Sequence, residues 1–114
     1  YEIPLRLVGS EMCIRDSDIG AAATFGEGRD SIVGCIHPQS ILDAIDTIIS
    51  SATIPLDAIF ISCTSLKCAT IIAIAESQFG IPVISSNSAI AWDMARLARL
   101  ALPANEKGLL FQQD

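Results

Sequence analysis

Cys63, Thr64 and Ser65 are the residues of this chain best suited to chemistry, because they stand together at the end of a short apolar run. Ala58-Ile59-Phe60-Ile61 is rich in branched and aromatic side chains, and Ser62-Cys63-Thr64-Ser65 breaks it abruptly with hydroxyls and a thiol. A run apolar on both faces predicts a strand covered on both sides, as in a parallel α/β sheet. Helix-compatible sequence follows, so the chain is expected to turn from strand to helix beside Cys63. Unpaired amides and the positive end of the helix dipole would then lie next to the thiol, forming an anion site and favouring the thiolate. The expected chemistry is that of an enzyme handling a small carboxylate.

A second strand end has the same character. Ile81-Pro82-Val83-Ile84-Ser85 reads as a short buried strand, with proline at its start where no ladder donor is lost. Ser86-Asn87-Ser88 then caps a helix from Ala89 to about Leu102, stopped by Pro103. In open α/β sheets ligands bind outside the carboxyl ends of the strands. That edge holds one thiol, several hydroxyls and the amide of Asn87, a candidate ligand contact that also serves as a plain cap. It has no glycine-rich phosphate fingerprint, so nucleotide binding is not expected.

The remaining elements must position these two ends. Asp18 to Phe25 is weakly apolar and reads as a strand or a junction, followed by a Gly26-Glu27-Gly28 turn. Arg29 to Ile36 is ambiguous, with a short helix as one reading. His37-Pro38 starts a helix, since proline suits the first helical position. Ile41, Leu42, Ala44, Ile45, Ile48 and Ile49 recur at helical spacing against Asp43, Asp46 and Thr47, giving an amphipathic helix that ends near Ser50-Ser51. Leu66 to Phe79 is expected to be the helix between the two strands, with Leu66, Ala69, Ile72, Ala73 and Ala75 inward and Lys67, Glu76 and Gln78 outward. Gly80 closes it. Alternating strands and helices predict βαβ units in a three-layer α/β/α arrangement with a short parallel sheet. Lys107 to Asp114 is a tail apolar enough to dock.

Charge and composition exclude several classes. The formal net charge of −6 argues against nucleic acid or an anionic membrane as partner. No apolar run reaches the ~18 residues of a membrane span, and the N-terminus lacks the order of a secretory signal, so the cytoplasm is the expected location. Four cysteines are too few and too irregular for a disulfide scaffold. Cys35, His37, Cys63 and Cys68 are conceivable metal ligands, but Cys-x-His and Cys-x4-Cys fit common zinc spacings poorly, and no metal is expected. Cys35 and Cys68 read as structural, His37 as a surface residue and Trp92 as core.

Residues 1–17 read as foreign to the rest. Leu7-Val8-Gly9-Ser10-Glu11-Met12-Cys13-Ile14-Arg15-Asp16-Ser17 resembles a transposase-based library adapter translated in one frame. The alternative is an ordinary N-terminal strand, Ile3 to Val8. Removing Glu2, Glu11, Asp16, Arg6 and Arg15 leaves 10 acids against 5 bases, so the remainder stays acidic. The expectation is a truncated reading frame without its upstream half, marginally stable and inactive alone. Deleting residues 1–17 is expected to change its stability little.

From residue 18 to the end, the chain resembles the aspartate/glutamate racemase superfamily. It is most similar to the branch of maleate cis-trans isomerases, arylmalonate decarboxylases and ectoine-utilisation proteins. Asp57-Ala58-Ile59-Phe60-Ile61-Ser62-Cys63-Thr64-Ser65-Leu66-Lys67 resembles the branch's second cysteine motif. Gly80-Ile81-Pro82-Val83-Ile84-Ser85-Ser86-Asn87 and Ala91-Trp92-Asp93-Met94-Ala95-Arg96-Leu97-Ala98 resemble the strand and helix after it, and Gly108-Leu109-Leu110-Phe111 its ending. The resemblance implies a two-domain pseudo-symmetric fold of which residues 18–114 form the C-terminal half. It implies a reaction without cofactor on a small carboxylate or dicarboxylate, with Cys63 catalytic and Thr64 and Ser65 contacting the substrate carboxylate. The missing N-terminal half would be the main partner; self-association stays open. The racemases proper carry Cys-Thr-His where this chain has Cys63-Thr64-Ser65, which favours isomerase or decarboxylase chemistry over amino-acid racemisation. The bland alternative is a carboxylate-binding domain with a structural cysteine, since cysteines after apolar strands are commonly inert packing.

Overall fold

The computed structural model describes residues 5–8, 18–101 and 108–113. Two short strands open the chain: β1 (Arg6–Val8) pairs antiparallel with β2 (Ala22–Thr24), Leu7 opposite Ala23. The three-residue β1 thus lies within the segment read as adapter; most of that segment falls outside the described residues. After the glycine turn come the short helix α1 (Asp30–Val33) and the long helix α2 (Pro38–Ser51).

Helix α2 forms where its sequence signals place it. His37 is its N-cap, with the ring Nδ1 accepting the Gln39 amide at 3.1 Å, and Pro38 occupies the first turn. Ile41, Leu42, Ala44 and Ile45 are buried, while Asp43, Asp46 and Thr47 face solvent. The exposed side is stitched locally, Gln39 Nε2 donating to Asp43 at 2.9 Å and Thr47 Oγ1 to the Asp43 carbonyl at 2.8 Å.

The central pair is parallel, as the alternation of strand and helix implies. Strand β3 (Ile59–Ile61) pairs with β4 (Val83–Ser85), Ile59 beside Val83 and Ile61 beside Ser85. Ile59 and Val83 are buried in one core with Ile41, Ile45, Leu66 and Ile72. Among the described residues the opposite side of β3 is left open: Phe60 keeps 63% of its surface exposed, although the run was expected to be buried on both faces. The two strand pairs are separate sheets, and a cavity of about 380 Å³ lies between β2 and β3.

The connecting helix corrects the sequence expectation. Helix α3 spans Ile72–Phe79, not Leu66–Phe79. Residues 62–71 instead make consecutive turns, with the Leu66 amide reaching the Cys63 carbonyl at 3.3 Å and the Ile71 amide the Cys68 carbonyl at 2.9 Å. The physical reason is burial. Leu66, Cys68, Ile71, Ile72 and Ala75 go inward while Ala69 and Ala73 are exposed, and a spacing of two between Leu66 and Cys68 cannot keep both on one helical face. Gly80 ends α3 in the left-handed region at φ 72°, its amide on the Glu76 carbonyl, as expected of a C-cap glycine.

Helix α4 covers Ser86–Leu97, so Ser86, Asn87 and Ser88 form its first turn and the cap is Ser85. Ser85 and Ser88 close a reciprocal capping box: Ser88 N donates to Ser85 Oγ at 3.1 Å and Ser85 N to Ser88 Oγ at 2.9 Å. The helix stops five residues before the expected Leu102. Arg99 adopts φ 55°, the Arg99 amide reaches the Arg96 carbonyl at 3.2 Å, and the Leu100 amide reaches Ala95 at 2.9 Å. That is a Schellman turn built without glycine; Leu102 and Pro103 lie outside the described residues. A 3-10 turn, Leu109–Gln112, then packs against α4 and β4. Trp92, expected in the core, is half-buried, its indole N–H on the Gln113 carbonyl at 3.5 Å. Among the described residues no helix is long and apolar enough to cross a membrane.

Candidate active site

The two parallel strands end side by side, and the residues singled out from sequence lie on the segments leaving them. Cys63 is exposed and sits at φ 97°. Few non-glycine residues adopt this left-handed conformation, and a residue held there marks a place where the surrounding fold over-determines the backbone. Cys63 lines the cavity between β2 and β3, together with Ser62, Thr24, Gly26 and Glu27. Glu27 is ionised at this rim: Arg29 binds its carboxylate at 2.8 Å through Nε and at 3.0 Å through its second guanidinium nitrogen. Its hydrogen bonds to the Arg29 side chain and amide hold its pKa at about 2.

Thr64 and Asn87 meet on the other side. The Asn87 side-chain amide donates to the Thr64 carbonyl at 2.9 Å, joining the loop after β3 to the first turn of α4. Both line a second cavity of about 440 Å³, with Lys67, Ser88, Ile72 and Phe111. Its wall is mixed, with hydroxyls, an amide and an ammonium among apolar groups. Ser65 is half-buried and lines neither cavity. The structure therefore brings Thr64 and Asn87 together and sets Cys63 beside them in sequence but on a different cavity.

The helix that was to stand behind Cys63 begins nine residues later, at Ile72, so its dipole is not the device that serves the thiol. The helix start that does face a candidate residue is that of α4, at Asn87. Cys68, placed by the sequence on a helix, is in the loop and only 2% exposed. Burial, and then the charge of Cys63 nearby, push its thiol up to about 11, so it stays protonated at neutral pH. Cys35 is exposed on the surface, its thiol directed at the Ser31 carbonyl at 3.2 Å. Among the described residues no three His, Cys, Asp or Glu side chains are grouped to hold a metal ion.

One residue of this region escapes a sequence reading. Glu76, expected to face outward, is half-buried, and its two carboxylate oxygens accept the Val83 amide at 3.0 Å and the Leu109 amide at 2.8 Å. Leu109 lies 33 positions away, so no local pattern could announce the contact.

Residues 30–111 match the family model described as arylmalonate decarboxylase. The chain is similar to a solved glycine-to-cysteine variant of arylmalonate decarboxylase in a sulfate-associated form. Identity is 27% and the TM-score 0.67, over 77% of this chain and 38% of that one. A second crystal structure of arylmalonate decarboxylase gives 27% identity and a TM-score of 0.66, over 78% of this chain and 39% of that one. The chain spans less than two fifths of the length of either. No curated protein matches it.

Proposed function

The chain belongs to the arylmalonate decarboxylase family, and from that premise we propose that residues 18–114 are the cysteine-bearing half of a cofactor-independent, cytoplasmic decarboxylase or isomerase of small carboxylates, with residues 1–17 foreign to it. Cys63 is the reacting group. In decarboxylation, the bond between the substrate's α-carbon and one carboxylate breaks, carbon dioxide leaves, and the electron pair forms an enediolate with the remaining carboxylate. The Cys63 S–H then gives its proton to the α-carbon, and the thiolate recovers a proton from water. On an unsaturated dicarboxylate, the Cys63 thiolate adds to the double bond, the new single bond rotates, and the thiolate leaves again. Donors of Thr64 and Asn87 hold the charge that develops on the substrate carboxylate; Ser65, which lines neither cavity, is not among them.

The observation that carries this reading is the exposed Cys63 at the carboxyl end of β3, held at positive φ and facing a cavity. The other wall of the site belongs to the further half, so the 114-residue chain is inactive alone. Alkylation tests the thiol. Iodoacetamide, followed by mass spectrometry, is expected to modify Cys63 faster than the exposed Cys35, and phenylmalonate to protect Cys63 selectively. Equal rates without protection would overturn the reading.

A second reading has its own support. Thr64 and Asn87 line a cavity that Cys63 does not, as in a carboxylate-binding domain whose cysteine is structural. In that case phenylmalonate binds with the same affinity to wild type and to Cys63→Ala.

A further inference from the structure

The Glu76 carboxylate joins three elements: it projects from α3, accepts the amide that begins β4, and accepts the amide that begins the C-terminal 3-10 turn. Hydrogen bonds to an ionised acceptor are roughly twice as strong as neutral ones. The turn is also shaped for this seat. Gly108 is buried at φ 94°, and a Cβ there would stand 2.6 Å from Ile72 Cγ2 and 3.1 Å from Glu76 Oε2, so only glycine lets the chain approach. Beyond the seat, Phe111 forms part of the wall of the cavity that holds Thr64, Asn87 and Cys68. The Gln113 carbonyl then accepts the indole N–H of Trp92 at 3.5 Å.

We propose that Glu76 is a positioning residue for the candidate site: by holding the Val83 and Leu109 amides at once, it sets the Gly108–Gln112 segment, and with it Phe111, as the wall of the cavity at the strand ends. The carboxylate does not touch substrate. It acts through Phe111, which lines the same cavity as Thr64, Lys67 and Asn87. Only the nature of the ligand rests on the function proposed above; the wall stands on geometry alone.

Three readouts on the full 114-residue chain separate the two. Trp92 is the sole tryptophan and reports docking of the segment. The buried Cys68 thiol, labelled by methyl methanethiosulfonate, reports the state of the wall. Calorimetric titration with phenylmalonate reports the ligand. Glu76→Ala is expected to shift Trp92 emission to the red, speed Cys68 labelling at least tenfold and weaken phenylmalonate about tenfold. Glu76→Gln, which keeps an acceptor oxygen and the same size, should lie closer to wild type on all three. Gly108→Ala attacks the seat from its other side and should reproduce the Ala variant's pattern, and it decides the matter if Glu76→Ala fails to fold. Unchanged Trp92 emission and Cys68 labelling in both variants would overturn the proposal. So would undocking that leaves phenylmalonate affinity intact. A wild-type chain that binds no phenylmalonate refutes the proposed function alone, and the first two readouts still decide the wall.

Discussion

The side-chain amide of Asn87 donates to the main-chain carbonyl of Thr64 across 2.9 Å, so the two strand-end segments are tied by one direct bond. The residues are 23 positions apart, and the bond fixes how the loop after β3 sits against α4. Asn87→Ala removes the donor and leaves the carbonyl to solvent. A neutral, exposed hydrogen bond contributes about 1 kcal/mol. The thermal midpoint is therefore expected to fall by about 4–8 °C, and an unchanged midpoint would show that the loop is held by other contacts.

Cys63 at φ 97° predicts an opposition between stability and function. Glycine tolerates this conformation freely, whereas other residues held there cost about 1 kcal/mol or more. Cys63→Gly should raise the thermal midpoint while abolishing the fast-labelling thiol, and Cys63→Ala, which keeps the Cβ, should not raise it. A glycine variant less stable than the alanine variant would mean that the backbone is unstrained.

Ser85 is buried, caps α4 with its hydroxyl and ends β4. Losing an N-cap hydroxyl costs about 1–2 kcal/mol. Ser85→Ala and Ser88→Ala both open the capping box, and urea denaturation should show the larger loss for Ser85, whose Oγ accepts the Ser88 amide. Asp at position 85 should recover part of the loss, because it also accepts an amide at a helix start.

Cys68 predicts a stability change in alkali. Its pKa is raised from 9.0 to about 11 by burial and by Cys63. Between those values the unfolded chain gives up this proton while the folded one keeps it, so stability is complete below pH 9 and falls as pH rises towards 11. Cys68→Ala is expected to be less stable than wild type at pH 7, through lost packing, yet to lose less between pH 9 and 11. Parallel stability curves for the two proteins over that window would contradict the assignment.

The fold was legible in the sequence wherever a local device sets an element. Pro38 after His37 starts α2, Gly80 ends α3, and the apolar runs at Ile59–Ile61 and Val83–Ser85 are the parallel pair. What was hidden depends on partners distant in the chain. Residues 66–71 read as the start of a helix, but Leu66 and Cys68 are both drawn into the core, which one helical face cannot do. Arg99 ends α4 in a conformation that sequence assigns to glycine or asparagine. At the site, the residue types at positions 63, 64 and 87 were readable. That Cys63 opens onto one cavity and Thr64 and Asn87 onto another was not, because it follows from the course of the loop.

The pairing of β3 on one edge alone has a consequence for how its backbone trades protons with water. In a parallel ladder successive amides point to opposite edges. The Ile59 amide is bonded to the Pro82 carbonyl at 2.9 Å, and Ile61, two residues on, faces the same neighbour. The Phe60 amide points the other way, where among the described residues no strand is paired with β3. In deuterium oxide, the protons of Ile59 and Ile61 should therefore exchange at the pace of opening of the strand pair. That of Phe60 should be lost early, giving a slow, fast, slow sequence along three consecutive residues.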